Sequence, residues 1–241
     1  PTQPPADPGD VTDPYRVPEG TPEELSAFID DLGGRQPRGN SQEARAFDLG
    51  RIMKARISAA EKILEVADAA EEVRVNAVRA KLESLHVLVR ITRAPNAEKH
   101  MRQFAESLAQ GDNPRYAEQG MLVLFRLGAD ELLDGRSNDP APMMVQLRAL
   151  LSGEAASDDV FRVTSEVVGS LVNTEHVDQL IEAYELIGNR FKDNSDEQIA
   201  SAATELLEYR TAFELRQELF AVVEGREENS DKLLASARKL L

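Results

Sequence analysis

The chain has 241 residues, 41% hydrophobic, 29% charged and only 5% aromatic, with no Cys and no Trp. Its formal net charge of -15 argues against nucleic-acid binding, which needs clustered Lys and Arg. Lack of Cys excludes disulfides, thiol chemistry and thiolate zinc sites within these residues, and no stretch approaches the roughly 18 apolar residues of a membrane span.

Residues 1–20, PTQPPADPGDVTDPYRVPEG, hold six of the twelve prolines and read as a tether or extended arm. Tyr15 and Val17 are placed to pin its end to the body. Thr21 then makes a good N-cap, Pro22 suits the first helical position and Glu24 completes a capping box. Leu25, Phe28, Ile29 and Leu32 form one apolar stripe, and Gly33-Gly34 is the expected stop. This short helix should act as a plug that anchors the tether.

After the polar loop GRQPRGN, a long helix is expected from about Ser41, with Leu49, Ile52, Met53, Ala60, Ile63, Leu64 and Ala67 on one stripe. Its partner, from about Ala69 to Ile91, carries two stripes. Val75, Val78, Leu82, Leu85 and Val89 form one, and Val73, Ala77, Ala80, Val87, Leu88 and Ile91 the other. A helix apolar on two sides is sandwiched between neighbours. The two helices should form an antiparallel hairpin.

Beyond Pro95, helices are expected near 96–110, 114–128, 140–152, 157–172, 174–192, 195–209, 211–224 and 229–240. The breaks fall at Gly111 through Pro114, Gly135 through Pro142, Ser157-Asp158-Asp159 and Asp193 through Asp196. No stretch has sustained strand alternation. The fold class is all-α: an irregular α-solenoid-like array of antiparallel helical hairpins, with helix pairs spaced roughly forty residues apart. Residues 21–135 and 143–241 are expected as two lobes joined by GRSNDPAP. The final DKLLASARKLL is an amphipathic helix with no stop signal, from which the native polypeptide is expected to continue.

Site chemistry is sparse. His86, His100 and His176 fall on different expected helices without a ligand pattern, so no metal site is expected. DNSDE at 193–197 lacks the glycine and distal glutamate of an EF-hand loop and reads as a helix stop followed by a cap. Adjacent acids at Asp30-Asp31, Glu71-Glu72 and Asp158-Asp159 point about 100° apart on a helix and read as solvated surface. No nucleophile motif and no glycine-rich phosphate cradle occurs, so no cofactor is expected and the chain should not be an enzyme. Two apolar patches, Met121, Leu122, Leu124, Phe125, Leu127 and Met143, Met144, Val145, Leu147, read as core. So does the aromatic set Tyr184, Phe191, Tyr209, Phe213 and Phe220.

Charge is unevenly spread: residues 35–102 carry fourteen bases and nine acids, whereas 103–241 carry thirteen bases and twenty-six acids. The plain reading is two solvated faces. The sharper one is a basic docking surface for an acidic partner or a second copy, with Arg35, Arg38, Arg45, Arg51, Lys54 and Arg56 as the candidate interaction residues. Some of these side chains simply lie over the hairpin.

VPEGTPEELSAFIDDL, followed by PRG and a long helix containing AAEKIL, resembles the segment upstream of the thioredoxin-like domain in bacterial extracytoplasmic redoxins of the thiol-disulfide oxidoreductase class. YELIGNRFKDNSDEQIASAATELLE is similar to the helical pair that precedes their redox domain. The resemblance covers roughly residues 14–92 and 174–210. It implies an extracytoplasmic location, periplasmic or membrane-anchored, with residues 1–20 following a signal or lipid-anchor segment. It also implies a downstream CxxC domain that carries the chemistry. No catalytic role transfers to this Cys-free chain, and after Leu207 the sequence continues as helix where strands would be expected. The function this implies is a non-catalytic helical interaction and positioning module of an exported thiol-disulfide protein. The alternative is a helical-repeat scaffold that binds protein or peptide partners with no redox role. A carboxylate-only enzyme would require two buried carboxylates facing one pocket with no cation between them.

Overall fold

The computed structural model describes residues 13–92, 94, 96–153, 156–172 and 177–223. Among them every regular element is a helix: α1 (Pro22–Gly34), α2 (Gln42–Glu65), α3 (Glu71–Arg90), α4 (Ala97–Ala109), α5 (Pro114–Leu133), α6 (Ala141–Ser152), α7 (Asp158–Ser170), α8 (Val177–Phe191) and α9 (Glu197–Val223). Helices pack chiefly on their chain neighbours, with α2–α3 and α8–α9 the most extensive pairs. The chain is an all-α helical array. It divides into two compact units, residues 1–119 and 120–241, with the boundary inside α5. The expected helix at 229–240, the DKLLASARKLL end, His176, residues 1–12 of the arm and the side chains of Phe213 and Phe220 lie outside the described residues.

In the first unit α1 starts as its sequence dictates. Thr21 Oγ1 accepts from the Glu24 N–H at 3.3 Å, and Glu24 Oε2 accepts from the Thr21 N–H at 2.9 Å. Its end differs from the glycine stop expected. Gly33 and Gly34 are both helical, and the helix ends because Arg35 turns extended, at φ -79° and ψ 132°. Pro37, two residues on, lacks the N–H that would continue the ladder.

Leu25 and Ile29 of α1 pack with Ala59, Ala60 and Ile63 of α2 and Ala77 and Ala80 of α3. Four alanines at this crossing let the three helices approach closely. The two-striped α3 is covered on more than one side, packing on α1, α2 and α4. On its α4 side the Lys81 ammonium sits 4.1 Å above the Phe104 ring and 2.8 Å from Glu61 Oε1.

The second unit encloses one core, centred on Phe125, Leu147, Val160, Val168, Leu171 and Ile187, all with almost no exposed surface. Leu122, Phe125, Leu127, Met143, Met144 and Leu147 are buried, whereas Val145 is exposed. Phe161 and Phe191 meet edge to face at 5.1 Å between ring centres, whereas Tyr209, expected in the core, is 55% exposed, its ring centre 6.4 Å from that of the buried Tyr184. The two helices expected at 195–209 and 211–224 are one, α9. Nothing in EYRTAFE breaks a helix, since it holds neither Gly nor Pro.

Gly188 sets the spacing of α8 against α9. A Cβ there would lie 2.6 Å from Leu207 Cγ and 2.9 Å from the Ala203 carbonyl oxygen, closer than atoms pack. Gly188→Ala should therefore destabilise the protein by about 1–3 kcal/mol despite alanine's better helix propensity. A urea midpoint at or above the parent's would show that the two helices can move apart freely.

Candidate functional site

The most organised polar site lies where the arm meets the first unit, and it is built around Asp48. This residue sits on α2 in register with Ile52, Ala55, Ala59 and Ile63, so the helix turns its carboxylate inward with the apolar face. Two segments converge on it. The Tyr15 hydroxyl donates at 2.9 Å to both carboxylate oxygens, and the Arg38 backbone N–H donates to Oδ2 at 2.7 Å. The Arg38 N–H bond is the largest cause holding the Asp48 carboxyl below its ordinary value. Burial opposes it, while the Tyr15 hydroxyl, Arg51 and Arg38 act in the same direction. Burial is the first cause that raises the Tyr15 phenol, and the Asp48 carboxylate raises it further.

Tyr15 itself is 7% exposed and packs in one cluster with Leu32, Ile52, Met53, Ala55, Leu88 and Ala97. Around this anchor, residues 13–20 are fastened at further points. Arg51 bonds Asp13 Oδ1 at 2.6 Å while its guanidinium carbon lies 4.7 Å from the Tyr15 ring centre. Arg35 donates to the Pro14 carbonyl at 3.2 Å, Val17 packs against the helices, and Glu19 pairs with Lys62 at 2.8 Å. The exposed ion pairs add little individually. The buried tyrosine and its carboxylate fix the segment.

Loop 35–40 is shaped by the same node. Gly39 adopts φ +144°, where a side chain would collide with the first turn of α2, and its carbonyl accepts from Arg45 Nε at 3.2 Å.

The six basic residues expected as an interaction surface have different surroundings. Arg35, which also pairs with Asp31, and Arg51 hold the arm. Arg45 supports its own loop, and Arg56 is largely buried beside Glu83 at 3.5 Å. Arg38 contributes its backbone to the node with its side chain exposed, and Lys54 is exposed. Of the acid pairs, Asp31 bonds Arg35, Glu72 bonds Arg115 and Asp159 bonds Arg162, each at the surface. Among the described residues no three His, Asp or Glu side chains are grouped to hold a metal ion, and no helix is long and apolar enough to cross a membrane.

Asp48 was not singled out from the sequence, although a signal for it exists. An aspartate in step with an apolar stripe is rarely buried without dedicated donors. No protein-family model matches this chain, and no curated protein or solved structure matches it significantly.

Proposed function

We propose that this chain is a non-catalytic helical interaction and positioning module of an exported thiol-disulfide protein of redoxin type. The redox context comes from the resemblance of residues 14–92 and 174–210. The observation that carries the positioning role is the fastening of residues 13–20 to the first unit through Tyr15 and Asp48. Residues 13–20 are thereby held as part of the first unit, which supports a positioning role for this end of the chain. Its partners are proteins or peptides, with Arg38 and Lys54 as outward cations.

Exposed apolar groups at one end of the α2–α3 hairpin favour the scaffold reading as the second choice. Phe47 is 73% and Ile91 59% exposed there. The intact mass of the native polypeptide, labelled with a thiol-alkylating reagent after reduction, separates the two. The redoxin reading predicts a mass well above 26.6 kDa with two labelled thiols. A mass near 26.6 kDa with no thiol would leave the scaffold.

A further inference from the structure

Residues 13–20 dock on the first unit in the manner of a bound peptide. Tyr15 is buried and Val17 half-buried, while the other six residues stay exposed. A turn closed by the Arg16 N–H on the Asp13 carbonyl, at 2.9 Å, carries Tyr15 inward. The seat is made by other segments: Asp48, Arg51 and Lys62 on α2, and Arg35 just after α1. The packing that joins α1, α2 and α3 around Leu25, Ile29, Ala60 and Ile63 does not use Tyr15. Asp48 is held independently of it too, because the Arg38 backbone N–H bonds Oδ2 from the other side of the node.

The seat is selective. Arg51 pairs with an acid two residues before the tyrosine, and Asp48 accepts from the hydroxyl at the tip of its ring. An apolar side chain packs two residues after it, and Lys62 pairs with an acid four residues after it. This asymmetric set reads one sequence in one direction. The segment that satisfies it, DPYRVPE, is carried by every copy of the chain. We infer that the seat is a recognition site for this segment and takes it from a second copy as well, the two chains exchanging arms. Exchange replaces each contact by the same contact, so concentration decides between the two forms. A short linker keeps the cis arm at an effective concentration of about 1 mM, so the parent closes on itself at micromolar concentration and exchanges near millimolar. This inference uses only residues of the first unit and stands apart from the redoxin reading.

The test removes the cis competitor in the full chain. Tyr15→Ala, labelled with nitrogen-15, has an open seat, and Asp48→Ala has an intact arm that its own seat holds poorly. Mixed at about 0.5 mM each, they should form a complex of twice 26.6 kDa by light scattering and shift the Arg38 backbone signal of the labelled chain. The synthetic peptide DPYRVPEG should cause the same shift, saturably, and its Tyr15→Phe counterpart should bind about fivefold more weakly. If neither variant keeps its fold, Asp13→Cys with Arg51→Cys leaves Tyr15 and Asp48 in place. A short bismaleimide should then link chains in pairs at about 1 mM, and each chain only to itself at about 10 µM. Linked monomers at both concentrations, or a mixture that stays at 26.6 kDa, would overturn the exchange. Equal binding of the Tyr15→Phe peptide, or no shift from either peptide, would overturn the recognition site itself.

Discussion

Asp48→Ala is expected to lower unfolding stability by about 3 kcal/mol, because two donors are orphaned by one change. The Tyr15 hydroxyl and the Arg38 N–H both end on this carboxylate, and Tyr15 is buried. Each unmet donor costs about 1–3 kcal/mol where water cannot replace the partner. Tyr15→Phe removes only the hydroxyl and keeps the ring in its cluster, so it should cost about 1 kcal/mol. Denaturant unfolding of both variants checks the order of these effects, and a loss below about 1 kcal/mol for Asp48→Ala would show that the node is wet.

The same pair predicts a stability profile with two limbs. Asp48 has a folded-state pKa below its ordinary value of 3.8, so its contribution is present above that value and is lost as pH falls through the depressed one. Tyr15 has a folded-state pKa above its ordinary 10.0, so its contribution is present below 10.0 and is lost as pH rises through the raised one. Asp48→Asn should flatten the acid limb. It should also reduce the alkaline one, because the carboxylate is one of the causes raising the phenol.

Phe125→Ala should be the most damaging single change, costing about 4 kcal/mol. Phe125 is fully buried at the centre of the second unit's core, among residues of α5 through α9. Truncation removes the ring's transfer energy and leaves a cavity in a close-packed interior. Phe125→Leu refills most of that volume and should recover more than half of the loss. Thermal unfolding of the two variants, followed by circular dichroism at the helix band, measures the difference. Equal melting temperatures for Phe125→Ala and the parent would mean that this core is not packed as described.

Local rules carried most of the helices. The capping box at Thr21 and Glu24, the double stripe of α3 apart from its exposed last member Ile91, and the break between Gly135 and Pro142 are all set by neighbours in sequence, and all appear in the structure. The continuous α9 runs through the point where two helices are expected, and its sequence contains no breaker. The glycines expected to stop α1 remain helical, and the helix ends at the extended Arg35. The site was less legible for a physical reason. Whether an arginine points at solvent or ties down an arm depends on residues far away in sequence, as Arg51 does with Asp13 and Arg35 with Pro14. Tyr15 was identifiable as an anchor because it is a lone aromatic in a proline-rich arm. Its partner Asp48, 33 residues on, becomes evident only when the arm is laid against α2.

The claim that the arm is an orienting element held by Asp48 is tested most directly by a distance between two spin labels. The chain has no Cys, so Arg16→Cys and Asp68→Cys place both labels uniquely, at exposed positions of the first unit. Double electron–electron resonance at neutral pH should give one narrow distance distribution in this pair, and a broad one when Asp48→Ala is added. A distribution already as broad with Asp48 intact would contradict the account.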